Sequence, residues 1–357
     1  MAEHAGDYEW RGEGENAEIV LYAPDDTSFE QILPAARLPG VESPIHAAAS
    51  DRNYGWVAVS SSHVAPDLIS RPVRYLLVGS DVPVESLGMA RSEIPRLISR
   101  NIQEVRLPGL GGTGIRRICE SGASSAAEDG LIEEEDLPFF EFQEGDPDAL
   151  GRQAMIAGGR DWDRLGEVEA YAVREIHDTE RAEEAGIEAD ALGFVLRVGA
   201  GDLGRLALAG HRERILGRVW SRDLGSQPDL PAAPADDEAA VDLLAAMDAA
   251  ANFADGCAAL LLYALRRSLE SVAGELNLRA SWMVGGIEVR GGSLTHRRGL
   301  AAAGEGDLLV ADSDLAVGTG KMWGSAPPFG IEEYEERWPW EEAGLLERLA
   351  RLDLLGG

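Results

Sequence analysis

A chain of 357 residues with 45% hydrophobic content is long enough to bury a large core and too apolar to be disordered. Its formal net charge of −31 favours solubility and repels polyanions over a Debye length of about 8 Å at physiological salt, which disfavours nonspecific nucleic-acid binding. Cys119 and Cys257 are too few and too far apart for a disulfide framework, and no N-terminal apolar core or run of about 18 apolar residues reads as a signal peptide or membrane span, so the expectation is a cytoplasmic protein.

Residues 1–16 are polar and rich in Glu and Gly, and read as a tail unless something ties them down. Ala17 to Pro24 reads as a strand and Ser28 to Arg37 as a short helix. From Leu38 to Pro83 short apolar runs alternate with Gly, Pro and Ser, the pattern of strands and loops. SEIPRLISRNIQEV carries helical spacing. The glycines of LPGLGGTGIRRICESGA lack a Walker lysine and do not fit GxGxxG. Glu128 to Asp161 is acidic and then helical, and EVEAYAVREIHD and ALGFVLRVGAGDLG each read as a strand. Arg205 to Trp220 is a basic amphipathic helix. A proline-bearing linker at 221–237 leads into the longest pattern of the chain.

That pattern, Ala233 to Leu269, places Leu244, Met247, Ala251, Ala254, Ala258, Leu261 and Leu265 at alternating three- and four-residue steps, one face of a long and mostly buried helix. Asp236 is the expected N-cap. Asp237 and Glu238 oppose the positive end of the dipole, and Arg266 and Arg267 lie near the other end. Asp248, Asn252 and Asp255 form a polar stripe beside the apolar face, which reads as a solvated edge or as a cap for a neighbouring loop. Beyond the helix, NLRASWMVGGIEVRGGSLTHRRGL suggests strands turning at Gly291 and Gly292. Ile331 to Leu355 reads as an acidic segment, a Trp anchor at Trp338 or Trp340, and a last amphipathic helix. The economical reading is α+β: one mixed domain over 17–357 with a long central helix.

The histidines form neither HExxH nor a tight cluster, and His63, His177 and His211 read as surface or loop residues. No GxSxG is present, so spacing alone names no chemistry.

Several blocks, read together, resemble the RtcB family of GTP- and manganese-dependent RNA ligases. APADDEAAVDLLAAMDAAANFA (Ala233 to Ala254) is similar to the family's long helix, and LPGVESPIHAAASDRNYGWVAVS and APDLISRPVRYL to its Asp-, His- and Cys-bearing segments. LPGLGGTG, RLGEVEAYAVREIHD, LRVGAGDLG, VGGIEV and LTHRRGLAAA follow in the family's order, so the likeness runs from about residue 30 to about residue 310. The resemblance implies one α+β domain that joins RNA 3′-phosphate or 2′,3′-cyclic phosphate ends to 5′-hydroxyl ends through a guanylylated histidine, with manganese held by Asp, Cys and His.

Residue by residue, much of that machinery departs. Asp67 stands at the family's Asp ligand, yet the Cys three residues on is Ser70, and the His after Asp51 is replaced by Asn53. Gly166 stands at one histidine position with Glu169 retained, Arg197 at another, and Val284 to Gly286 replace a third loop. The block bearing the guanylylated histidine has no counterpart near VGTGKMWGSAPPFG. His46, His296, Arg297, Arg298 and Gly299 match, and Asn252 falls in the helix pattern. The resemblance thus implies Asp67 as a metal ligand, Glu169, Asn252, His296 and Arg298 as cofactor-binding residues, and weakened or lost use of manganese and GTP. The expectation is a non-catalytic RtcB-like protein whose partner is RNA or an active ligase. An active ligase with relocated ligands, and a metal-free nucleotide-binding protein or hydrolase, are the alternatives.

Overall fold

The computed structural model describes most of residues 63–282, together with strand backbone before and after that range. Side chains are described within 63–280 and at Leu355. Two larger sheets and a helical layer make up these residues.

The first sheet has five strands in the order β1 (Tyr8–Glu13), β2 (Glu18–Ala23), β3 (Val41–Ala49), β4 (Tyr54–Ser60) and β15 (Met322–Ser325). Only β2 and β3 run parallel. Pairing of Tyr8 with Ala23 through Glu13 with Glu18 ties down part of the polar 1–16 segment, because an antiparallel ladder satisfies its backbone groups. The expected helix at Ser28 to Arg37 and the Trp338 and Trp340 anchor lie outside the described residues.

A second sheet has seven strands, antiparallel throughout, in the order β10-β6-β8-β7-β16-β14-β13. These are β10 (Leu278–Trp282), β6 (Val73–Pro83), β8 (Ala191–Gly199), β7 (Glu167–Ile176), β16 (Leu346–Leu354), β14 (Asp307–Ala311) and β13 (Leu300–Ala302). The strand at β16 corrects the expectation of a terminal amphipathic helix. Leucines at 346, 349, 352 and 355 carry the helical step. Pairing of the segment on both sides, with β7 and with β14, gives its backbone two ladders, and tertiary pairing outweighs local propensity. A two-residue pair, β5 (His63–Val64) with β9 (Ala233–Pro234), stands within the expected linker, and β11 (Ile287–Arg290) pairs antiparallel with β12 (Ser293–His296); the turn expected at Gly291 and Gly292 lies outside the described residues.

The described α-helices are α1 (Ile94–Glu104), α2 (Gly112–Ser121), α3 (Ala123–Glu128), α4 (Pro147–Leu150), α5 (Arg152–Asp161), α6 (Thr179–Glu184), α7 (Gly201–Arg222) and α8 (Glu238–Ala273). The last is the predicted central helix, 36 residues long. Residues 246–262 are all buried, so the helix is enclosed on every side and not on one stripe only. Its neighbours include α1, α2, α3, α4, α7 and strands β6, β8 and β11. Small residues permit this: a side chain at Gly256 would collide with Ile118 of α2. The most apolar 18-residue window has a mean hydropathy of 1.2 and is 94% buried in the protein, so its apolarity faces the core.

The N-cap is Asp237, one residue beyond the expected Asp236. Its N–H donates to the carbonyl of Pro234 at 2.9 Å, which sets the turn, and its carboxylate then accepts from the N–H of Ala239 at 2.9 Å. The basic helix also changes meaning. Arg214 bonds Asp242 at 2.7 Å, and Arg218 bonds Asp237 at 2.5 Å and Glu238 at 2.7 Å. Arg214 and Arg218 of α7 are thus joined to the acidic start of α8.

Candidate functional site

The polar stripe of α8 divides into three roles. The carboxylate of Asp255, fully buried, pairs with the buried guanidinium of Arg74 on β6, whose Nη2 also donates to the carbonyl of Ala251 at 3.2 Å. A buried charge needs such a partner, and this one fastens sheet to helix. Asn252, also fully buried, donates through Nδ2 to the carbonyls of Cys119 at 3.0 Å and Glu120 at 3.2 Å. Those carbonyls lie in the last turn of α2, so Asn252 caps a neighbouring helix end, the second of the two readings expected for the stripe. Burial, and secondly the charge of Glu120, pushes the Cys119 thiol up to about 12, which leaves it an inert core group.

Asp248 faces a cleft that sequence reasoning did not anticipate. Its volume is about 620 Å³, and Arg116, Glu120, Ser121, Gly145, Asp146 and Asp248 are among its lining residues. Arg116 binds the Asp148 carboxylate through both terminal nitrogens, at 2.6 and 2.9 Å, and Glu120 through Nε at 3.1 Å. That fork holds the Asp148 carboxyl below its ordinary range, by hydrogen bonding first and by charge second. Gly145 at the rim meets Asn252: a Cβ there would strike the Cys119 carbonyl and lie 2.7 Å from Asn252 Nδ2. The available sequence signal was Asp146-Pro147, a capping residue before a proline at the first turn of α4.

His211 corrects the expectation of a surface histidine. It is 4% exposed, with Nε2 donating to the carbonyl of Ala149 at 2.8 Å. Desolvation lowers its pKa.

Three of the positions that the resemblance singled out, Gly166, Glu169 and Arg197, stand near one end of the seven-stranded sheet. In the β7–β8 register Glu167 stands opposite Arg197 and Glu169 opposite Val195, and in β6–β8 Tyr75 stands opposite Arg197. Alternation along the strands puts Glu167, Glu169, Tyr171 and Arg197 on one face, while Ala170, Ala172, Leu196 and Val198 on the other face belong to the core around α8. Glu169 is exposed and accepts from the Tyr171 hydroxyl at 2.6 Å. Arg197 Nη1 reaches Glu167 at 3.4 Å, with the two side chains 45% and 74% exposed. Glu169 and Asn252 are therefore not brought together; the sheet separates them. His296 ends β12, its backbone paired with Ile287, and Asp67 and Arg298 lie outside the described residues.

No family model matches the chain. A protein named tRNA-splicing ligase RtcB from Methanococcus maripaludis is 26% identical over 280 residues, covering 71% of this chain and 58% of that protein. A protein of the same name from Pyrobaculum aerophilum is 28% identical over 189 residues, covering 47% of this chain and 39% of that protein. The chain is a divergent RtcB relative. The matched segment thus spans less than two thirds of either RtcB protein.

RtcB ligases imply manganese and GTP, and the described residues at this end of the sheet do not fit the metal. Position 166, where the family resemblance asks for a histidine, admits no side chain: a Cβ there would collide with the carbonyl of Arg197 and lie 3.0 Å from Val198 and 3.2 Å from Leu261. Position 197, where it asks for another, carries a guanidinium, which has no lone pair to give and is always charged. Among the described residues no group of three His, Cys, Asp or Glu side chains stands close enough to hold an ion. No nucleotide step is derived through this end of the sheet.

Proposed function

We propose that the chain is a non-catalytic RtcB-like protein, one that keeps the scaffold of the RNA ligases and contacts RNA ends without the metal-dependent transfer of a guanylate. The observation that carries this reading is the pair of replacements on adjacent strands. Gly166 is closed to any side chain, and Arg197 presents a fixed positive charge where a metal ligand would stand. Loss of even a supporting residue typically costs a metal site about 10- to 100-fold in affinity, and replacement of a ligand by a cation acts in the same direction more strongly. The relatedness to two proteins named as tRNA-splicing ligases supports RNA as the binding partner. The sequence THRRG, with His296 at the end of β12 followed by Arg297 and Arg298, supplies the groups for charge-assisted hydrogen bonds to a terminal phosphate.

Binding of a fluorescent RNA ending in a 3′-phosphate or 2′,3′-cyclic phosphate, measured by anisotropy without added metal and followed by gel analysis with a 5′-hydroxyl RNA present, tests the proposal. The expected outcome is saturable binding with no joined product. Arg298→Ala weakens binding by about 1–3 kcal/mol, the cost of a lost charged hydrogen bond. Joined RNA would sink the non-catalytic reading. An affinity unchanged in Arg298→Ala removes that arginine from the RNA-contacting set.

A further inference from the structure

We infer that Arg197 acts as a tethered cation that keeps divalent metal away from the exposed carboxylates at this end of the sheet. The inference deepens the non-catalytic reading above and rests on it for the correspondence between position 197 and a ligand position.

The geometry supplies the argument. Glu167 and Glu169 are two residues apart on β7, both exposed and both on the face opposite the α8 core. In a chain of net charge −31, two neighbouring carboxylates on one face attract a divalent cation. Arg197 stands directly across the ladder from Glu167, with its Nη1 at 3.4 Å from the Glu167 carboxylate. A guanidinium does not lose its proton in the accessible pH range, so its charge opposes a dication there under all ordinary conditions. The Tyr171 hydroxyl, donating to Glu169 at 2.6 Å, occupies an oxygen lone pair that a metal would otherwise take. Position 166, beside Glu167 in the chain, admits no imidazole, because a Cβ there meets the Arg197 carbonyl, Val198 and Leu261 on the core face. Charge and shape act in the same direction.

The test uses the full chain in about 0.15 M salt, where a Debye length near 8 Å suppresses diffuse binding to the acidic surface. The amplitude of the free Mn²⁺ electron-paramagnetic-resonance signal is followed during titration of the wild type, Arg197→Ala, Arg197→Lys and the double variant Arg197→Ala with Glu167→Gln, with circular dichroism to confirm that each is folded. Removal of one positive charge beside a dication tightens Mn²⁺ binding in Arg197→Ala roughly tenfold over wild type. Arg197→Lys keeps the wild-type titration, and the double variant returns to it. An Arg197→Ala curve that overlays the wild type, or an Arg197→Lys curve that shifts as far as Arg197→Ala, overturns the inference. Either of those results leaves the non-catalytic reading intact, whereas joined RNA in the ligation assay defeats that reading without altering the order of these affinities.

Discussion

His211 is held at the crossing of α7 with the end of α4, where its Nε2 proton is given to the Ala149 carbonyl and Nδ1 faces Arg214 at 3.5 Å. Burial lowers the pKa of this imidazole and Arg214 lowers it further, against the hydrogen bond to Ala149 and the charge of Asp242, which raise it. A folded-state pKa below the unfolded one means that the unfolded chain binds the proton more tightly. Stability contributed at this residue is therefore complete above the unfolded value, about 6.5, and falls as the pH drops below it. The Asp148 carboxyl is shifted downward, so its own loss belongs to a lower pH window. His211→Gln retains a donor for Ala149 but does not titrate. Thermal unfolding at pH 7.5 and 5.5 will show a smaller drop in Tm for His211→Gln than for the wild type; equal drops would mean that the imidazole binds its proton equally in the folded and unfolded chain.

Between elements, the Arg74–Asp255 pair ties β6 to α8 with both side chains out of water. Asp255→Asn leaves the guanidinium without its counter-charge, and urea unfolding is expected to show a loss of about 3–5 kcal/mol. Arg74→Met with Asp255→Leu removes both charges and recovers most of that loss. A single variant within about 1 kcal/mol of wild type would show that water reaches the pair. This level also marks what the sequence revealed and what it did not. The span of α8 was legible from Leu244 to Leu265 because apolar steps of three and four residues persist over several turns. The fates of Asp248, Asn252 and Asp255 were not, since spacing places three polar groups on a stripe without naming what packs over it: a strand arginine, a helix end and a cleft. β16 misled for a related reason. Its leucine steps are local, and the partners that make it a strand, β7 and β14, come from elsewhere in the chain. At the candidate site the substitutions at positions 166 and 197 were readable from resemblance, but the closure of Gly166 and the separation of Glu169 from Asn252 required the register of β7 and β8.

For the molecule as a whole, relatedness to RtcB and the make-up of the site point in different directions. The chain matches two RtcB proteins over part of their length, while the described end of the seven-stranded sheet presents an exposed glutamate, an arginine and a glycine with no room for a side chain. Net charge adds a constraint: at −31 the chain repels polyanions at long range, so the RNA contact proposed above has to be local. The central claim is that this scaffold does not carry out guanylyl transfer, and the most direct test is the intact mass of the purified full-length chain after incubation with GTP and Mn²⁺ beside a working ligase. The account predicts an unchanged mass for this chain and an added guanylate on the control. A guanylate adduct on this chain would contradict it, and the modified residue would identify the nucleophile.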